Sequence, residues 1–578
     1  MSTVRQQLLL LLAATLIFFT NLGKGQLWDD DEPKNAQCAR EMLNRGDWIV
    51  PTFNGELRCD KPALTYWLMM SAYQAFGDGE FAARFWSAVA AVGTTLLTYH
   101  VGRMLFDARI GFWSGWMMAT SLMFVVAGRA ATPDSLLIFF TTLAMFLFVR
   151  LTWGANGTMA GADRLSDYLP RSWPGMAMIY IVLALGVLTK GPVAVVVPVW
   201  SLVSYVAFVR QIVKAPTAMS AARRWAGLFS PISWLVAGWR LRPLTAVLSL
   251  TVIALPWYAV VGWKTDGEWL IRFFGQHNFG RYLQPMEGHR GPFLYYLPAV
   301  LFGFFPWSTF LPQAVARAVR ELRQSASWAP WLFLTCWAGA WIGFFSFSGT
   351  KLPSYTTPAL PALAVMTAVW LTGWLQQPRS VHRWFLRQSI ASLGLAGLAI
   401  MAAIPVIDHY FLRGEAILCI VGVPLVLMSI AGLAWSVHRP SLAAGALAAG
   451  SLAFIVLTFS FAAVRSSRYQ NSNALIAALH QSDLALQPAT FELCVPSQVY
   501  YSGLKVPQYG RAEDAATYLE SSPRAVLVTD TRGYEKLQAR LPADVTIVAR
   551  QQRFLRRREI IVLGHRSTVA TRPARSPR

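Results

Sequence analysis

"QLLLLLAATLIFFTN", residues 7–21, follows Arg5 and is fifteen residues without a charge. A soluble core helix is seldom so uniformly apolar, whereas a bilayer demands about 17–25 such residues per crossing. The stretch has the outline of a signal peptide but no small-residue cleavage site, so it is expected to remain as a first membrane span. Outward from it, runs of the same kind recur to about residue 464, and they decide the fold class. The whole chain of 578 residues is 55% hydrophobic and only 14% charged, with a mean hydropathy of +0.40. A soluble domain is nearer about 25% charged. The 24 Trp suit an interfacial aromatic belt.

The expected spans are roughly 7–23, 81–101, 111–129, 134–152, 175–190, 193–212, 243–262, 293–315, 329–348, 356–375, 388–406, 416–436 and 442–464, about thirteen crossings. With the N-terminus inside, the inner loops hold Arg103, Arg109, Arg150, Arg210, Lys214, Arg223, Arg224, Arg240, Arg317, Arg320, Arg383 and Arg439 among other bases. Against them stand only Asp107, Asp163, Asp167 and Glu321. This is the positive-inside pattern, and it accounts for the net charge of +22 without any nucleic acid. Two outer loops result, 24–80 and 263–292, the first rich in both signs of charge. An odd number of spans also puts the C-terminus outside.

The composition turns soluble after residue 465. "RAVLVTDT" and "EIIVLGH" read as strands, "NALIAALHQS" and "AEDAATYLES" as helices. The expected organisation is therefore a membrane domain over 1–465, an outer α/β domain over 466–566 and a disordered basic tail over 567–578. The five cysteines form no metal-binding cluster. Cys336 and Cys419 fall in spans and Cys494 lacks an obvious partner, while Cys38 and Cys59 share the first outer loop, where an oxidising compartment would permit a disulfide.

Several polar residues collect at the outer face. "LWDDDEPKNAQCAREMLNRGDWIVP", 27–51, carries Asp29, Asp30, Asp31 and Glu32. One or two of these acids can cap a helix running from about Asn35 to Asn44. The surplus calls for another role beside anionic headgroups. "LRCDKPALTYW" brings Arg58, Asp60 and Lys61, with Pro62 suited to the first turn of a surface helix. "GRAATPDSL" places Arg129 and Asp134 where spans three and four meet, and Lys190 in "LTKGP" ends span five as a helix C-terminal cation. The second loop adds His277, Arg281, His289 and Arg290, and "FSGTKLPSYTTPALPAL" sets Lys351 and Tyr355 before a proline-broken helix start. Each has an ordinary structural reading: capping, snorkelling or solvation. All of them at one interfacial level suggest a site for an anion, since Arg and Lys clamp phosphates. A transporter would also carry intramembrane charge, but it is disfavoured by the absence of an internal repeat and by charges gathered at one face rather than the midplane.

The stretch "DDDEPKNAQCAREMLNRGDWIVPTFNGELRCDKPALTYW" resembles the signature of the lipid A aminoarabinose transferases, C-type membrane glycosyltransferases related to the protein O-mannosyltransferases. "EFAARFWSA", "LTKGPVA", "HRGPFLYYLP" and "KLPSYTTPALPALA" follow in the order of that family, so the resemblance covers residues 1 to about 465. It implies an all-α polytopic membrane protein with the C-type glycosyltransferase fold, carrying a small periplasmic α/β domain. It further implies a bacterial inner-membrane enzyme that moves a sugar, foremost 4-amino-4-deoxy-L-arabinose, from an undecaprenyl-phosphate-linked donor to a lipid A phosphate at the periplasmic face. A second reading keeps the fold and moves the sugar to a hydroxyl of a protein or another glycolipid. The partners are then the donor lipid, the acceptor and the bilayer, with the chain acting as a monomer.

Carried over by position, Asp31, with Glu32 beside it, and Asp134 match the acids, and Lys61, Arg281 and Tyr355 match contacts to the carrier phosphate. Arg58, Lys351 and Arg290 join them as candidate phosphate ligands from their level and charge. Asp60 and His277 match places that can hold a structural divalent ion, foremost zinc; the chemistry itself requires no cofactor. The chain departs from the family where Arg58-Cys59-Asp60-Lys61-Pro62 replaces an aromatic-Phe-Glu-Lys-Pro pattern, and where "DEPKNAQ" replaces "DExRYAE".

Overall fold

The computed structural model describes residues 2–28, 30–154, 164–214, 230–286, 288–324, 328–411, 414–470, 486–493, 495–553 and 558–566. Asp29, Cys494, the helix expected over 473–482 and the tail from Ser567 lie outside them. Among the described residues nine helices are long and apolar enough to cross a membrane, from Glu80–Leu105 to Pro440–Tyr469. Three bent pairs qualify when each is taken as one span: Ala108–Ala119 with Leu122–Arg129, Pro231–Arg240 with Pro243–Ile253, and Phe293–Gly303 with Trp307–Arg323, broken by 64°, 53° and 114°. The shorter apolar helix Thr3–Phe19 stands apart from these. Each of these elements overlaps one expected run.

The breaks have local causes. Thr120 and Ser121 turn their hydroxyls back onto the carbonyls of Trp116 and Met117, which competes with continuation of the helix. Pro243 and Pro306 stand at the other two breaks and deny a backbone donor there.

The first outer loop folds into a small structure of its own. Helix Asp31–Arg45 ends at Gly46, whose φ of 65° suits a left-handed C-terminal residue. It starts four residues before the expected Asn35, so Asp31 and Glu32 are first-turn residues and not caps. Strands β1 (Thr52–Phe53) and β2 (Glu56–Leu57) form a hairpin, and helix Leu64–Phe76 follows. Leu27, Ala36, Cys38, Ala39, Met42, Tyr66, Met69 and Met70 pack into one buried cluster between them. Cys38 and Cys59 are both free thiols. No bridge joins them, and burial pushes Cys38 up to about 12 and Cys59 up to about 11, so both are inert.

Among the described residues the C-terminal unit holds a five-stranded sheet with strands β3 (Gln487–Phe491), β4 (Gln508–Tyr509), β5 (Ala525–Asp530), β6 (Val545–Gln552) and β7 (Glu559–His565). Their order is β4-β3-β5-β7-β6, with β3 parallel to β4 and β5 and the rest antiparallel. Strand β5 is buried along its whole length, as its apolar run requires. Helix Ala512–Ser521 covers the span expected for it.

Candidate active site

Two acids adjacent in sequence meet opposite fates. A helix turns about 100° per residue, so Asp31 faces solvent while Glu32 faces inward. Glu32 is 4% exposed, and its carboxylate accepts from Arg84, from the Ala131 N–H at 2.6 Å and from the Trp28 N–H at 2.7 Å. Arg84 spends its remaining donors on the carbonyls of Leu22, Gly25 and Gln26. Glu32 is thus a structural tie and not the catalytic acid expected of it, because every oxygen direction is already used.

Lys61 follows the hairpin and faces a cavity of about 360 Å³. Asp60, Lys190, His277, Arg281 and Tyr355 reach the same cavity, and Val193, Val196, Trp341, Phe344 and Phe345 form its apolar wall. A polar rim of cations over an aliphatic and aromatic wall fits an anionic headgroup on a hydrocarbon chain. Burial lowers the Lys61 ammonium below its usual range, Lys190 and Arg281 add to the shift, and Asp31 and Asp60 oppose it. Among the described residues Lys61 makes no ion pair or hydrogen bond. An entering phosphate would supply the missing counter-charge.

Asp134 begins helix Asp134–Trp153 and Lys190 ends helix Trp173–Lys190, and the two pair at 2.5 Å. The Lys190 ammonium also lies 5.6 Å from the Tyr355 ring centre. Lys190 is expected both as a helix C-terminal cation and as one of the outer-face group, and it lines the cavity while paired with Asp134. The signal for the pair is an acid that opens one span and a base that closes the next at the same membrane level. Arg281 ends a π-helical stretch, Ile271–Gly280, which carries His277, a geometry common at functional sites. The Thr350 N–H donates to the Arg281 carbonyl and the Gly349 N–H to that of Tyr282. These bonds tie the Arg281 rim to the segment that leads into Tyr355.

Arg58 is 6% exposed and stands behind the cavity. It donates to the Tyr66 hydroxyl at 3.0 Å and to Asn35 at 3.1 Å, and pairs with Asp60 at 3.4 Å. It orients Asp60 instead of reaching a phosphate. Lys351 is likewise turned away: its ammonium donates to the carbonyls of Phe345 and Ser346 at 2.9 and 2.7 Å. Those carbonyls end helix Trp328–Ser346, so Lys351 is a helix C-terminal cap. Arg290 is exposed and does not line the cavity.

Asp60 Oδ1 and His277 Nε2 stand 3.2 Å apart. Burial would raise the Asp60 carboxyl, but Arg58, Lys61 and His277 outweigh it and hold it below the ordinary range. Burial lowers His277, with Lys61 and Arg281 adding to the effect. The 3.2 Å separation suits two ligands of one zinc ion at about 2.0–2.1 Å each. The set is nonetheless incomplete, since no group of three or more His, Cys, Asp or Glu comes together among the described residues. These two residues supply half of a four-ligand structural site, and the surrounding cations work against a divalent ion.

Comparison with known proteins bears on this geometry. A family model described as dolichyl-phosphate-mannose-protein mannosyltransferase matches residues 3–271. An undecaprenyl phosphate-alpha-4-amino-4-deoxy-L-arabinose arabinosyl transferase from Enterobacter sp. (strain 638) is 28% identical over 75% of this chain and 71% of that protein. Another of the same name, from Edwardsiella ictaluri, is 30% identical over 67% of this chain and 63% of its own length. The crystal structure of ArnT from Cupriavidus metallidurans bound to undecaprenyl phosphate superposes with a TM-score of 0.72 at 22% identity, over 96% of this chain and 97% of that one. The chain is therefore related to the aminoarabinose transferases and shares their C-type fold. It is a multi-pass membrane enzyme of the polyprenyl-phosphate-sugar-dependent glycosyltransferase class.

Proposed function

We propose that this glycosyltransferase moves 4-amino-4-deoxy-L-arabinose from undecaprenyl phosphate to a lipid A phosphate, working as a monomer at the periplasmic face of a bacterial inner membrane. The observation that carries the reading is the cavity itself: Lys61, Arg281 and Lys190 ring its polar end, and a hydrocarbon-lined wall leads away from them. The relatives named above support the donor and the sugar, and the loop charges support the orientation.

In the reaction the bond between the anomeric carbon and the carrier phosphate oxygen breaks, and an acceptor oxygen bonds to that carbon. The electron pair leaves with the phosphate, so negative charge grows there. Lys61 and Arg281 stabilise that charge more in the transition state than in the ground state. The Tyr355 hydroxyl donates to the same phosphate. A lipid A phosphate arrives already ionised and needs no base. Asp31 and Asp134 then orient the acceptor or the sugar amino group, and Asp134 also holds Lys190 in place. A divalent ion at Asp60 and His277 would take its remaining ligands from water or the lipid phosphate, and no step of the transfer depends on it.

The match to the mannosyltransferase model favours a second reading, in which the acceptor is a hydroxyl. Asp31, exposed and in electrostatic reach of Lys61, then serves as general base, an effect of about 10²–10⁴-fold. Mass spectrometry of lipid A from cells with and without the chain separates the two. An added aminopentose on phosphate supports the first; unchanged lipid A in cells supplied with donor rejects it and leaves the second.

A further inference from the structure

The two segments that present Asp31 and Lys61 are both held from outside the membrane bundle by one short piece of the C-terminal unit. Helix Pro496–Ser502 packs on the first outer loop, and Tyr500, 3% exposed, completes that loop's buried cluster. The Tyr500 carbonyl accepts from Arg40 at 2.7 Å, and the Arg40 guanidinium stacks 3.9 Å from its ring centre. The Tyr501 hydroxyl accepts from the Leu27 N–H at 2.7 Å and donates to Glu80 at 2.9 Å. Leu27 lies four residues before Asp31.

Farther along, Asn54 at the hairpin tip and Val506 exchange two hydrogen bonds. The Asn54 amide donates to the Val506 carbonyl at 2.8 Å, and the Val506 N–H donates to Asn54 Oδ1 at 2.9 Å. Asn54 is buried, with a φ of 58°, which asparagine and glycine accept most readily. The hairpin runs from there through Leu57 into Arg58, Asp60 and Lys61. Glu41, on the Asp31–Arg45 helix, braces the same turn through Thr52 and the Asn54 and Gly55 N–H groups.

We propose that Tyr500–Val506 is a positioning element of the transferase site, which sets the Asp31 turn and the Lys61 hairpin in register with each other beside the cavity. The C-terminal unit is thus a working part of the donor site and not an appended module. Asn54 acts through Lys61 and is a positioning residue, since it does not line the cavity. The inference rests on the assignment of Lys61 to the carrier phosphate.

A binding cycle on the full-length protein in nanodiscs tests it, with undecaprenyl phosphate as the probe. Asn54→Gly keeps the backbone shape and removes both bonds to Val506, and Asn54→Asp keeps one of them. The expected result is that Asn54→Gly weakens binding roughly threefold to tenfold, with Asn54→Asp between it and the native protein. In a Lys61→Ala background the same change should have no further effect, because a residue acting through Lys61 has nothing left to position. An unchanged Kd for Asn54→Gly, or an equal penalty with and without Lys61, overturns the proposal. Native affinity in Lys61→Ala itself would instead overturn the phosphate assignment on which it rests.

Discussion

Two charged regions stand at the outer face, and they are built on opposite terms. Around Glu32 and Arg84 every donor and acceptor is matched, both side chains are about nine-tenths or more buried, and nothing there is left to offer a ligand. Around Lys61 the cations predominate: Lys61 makes no ion pair among the described residues, Lys190 and Arg281 line the same cavity, and Asp60, the one acid among the described lining residues, is already held by Arg58. The first arrangement holds a fold. The second waits for an anion. Charge at a membrane surface therefore marks a site only where its partner is missing, and the acid row at 29–32 taken alone does not tell the two apart.

The contrast can be broken by exchange of symptoms. Glu32→Ala leaves the Arg84 charge buried without a partner, a loss of about 3–5 kcal/mol. The expected outcome is little folded protein on size-exclusion chromatography and a collapsed melting curve; native stability would place Glu32 with the functional acids after all. Lys61→Ala should behave in the reverse way, with a native melting temperature and transfer lowered about 10²–10³-fold, as for loss of a charge-stabilising donor. Lys351→Met separates cap from ligand. It should cost about 1–3 kcal/mol of stability through unsatisfied carbonyls, while Kd for undecaprenyl phosphate stays unchanged. The smallest effect concerns pH. His277 has a lowered pKa, so between that value and about 6.5 the unfolded chain binds more protons than the folded one. Stability should fall as pH drops below about 6.5, and His277→Gln should flatten that part of the melting profile.

Much of the fold was legible because the bilayer imposes it: each crossing needs an apolar run, and the runs are plain in the chain. Strands β5 and β7 and helix Ala512–Ser521 were legible for the ordinary reason of periodicity. The short strands β3 and β4 were not, since Gln487–Phe491 has little alternation and Gln508–Tyr509 is too brief to show any. At the site, Asp60, Lys61, His277, Arg281 and Tyr355 were found by their shared level and by resemblance, and the cavity gathers all five. Arg58, Lys351 and Arg290 have the same charge and level but point elsewhere. The direction of a long side chain depends on tertiary neighbours such as Tyr66, Asn35 and the end of helix Trp328–Ser346, and no spacing encodes it. Arg84 falls within an expected apolar span and within "EFAARFWSA", and neither context shows its claim on Glu32.

The measurement that bears most directly on this account is sugar transfer from an undecaprenyl-phosphate-linked donor by native and Lys61→Ala protein at equal folded concentration. Transfer by the native protein, with at least a hundredfold loss in the variant and no loss of melting temperature, is the result expected. Undiminished transfer by Lys61→Ala would contradict the claim that this cation receives the departing phosphate.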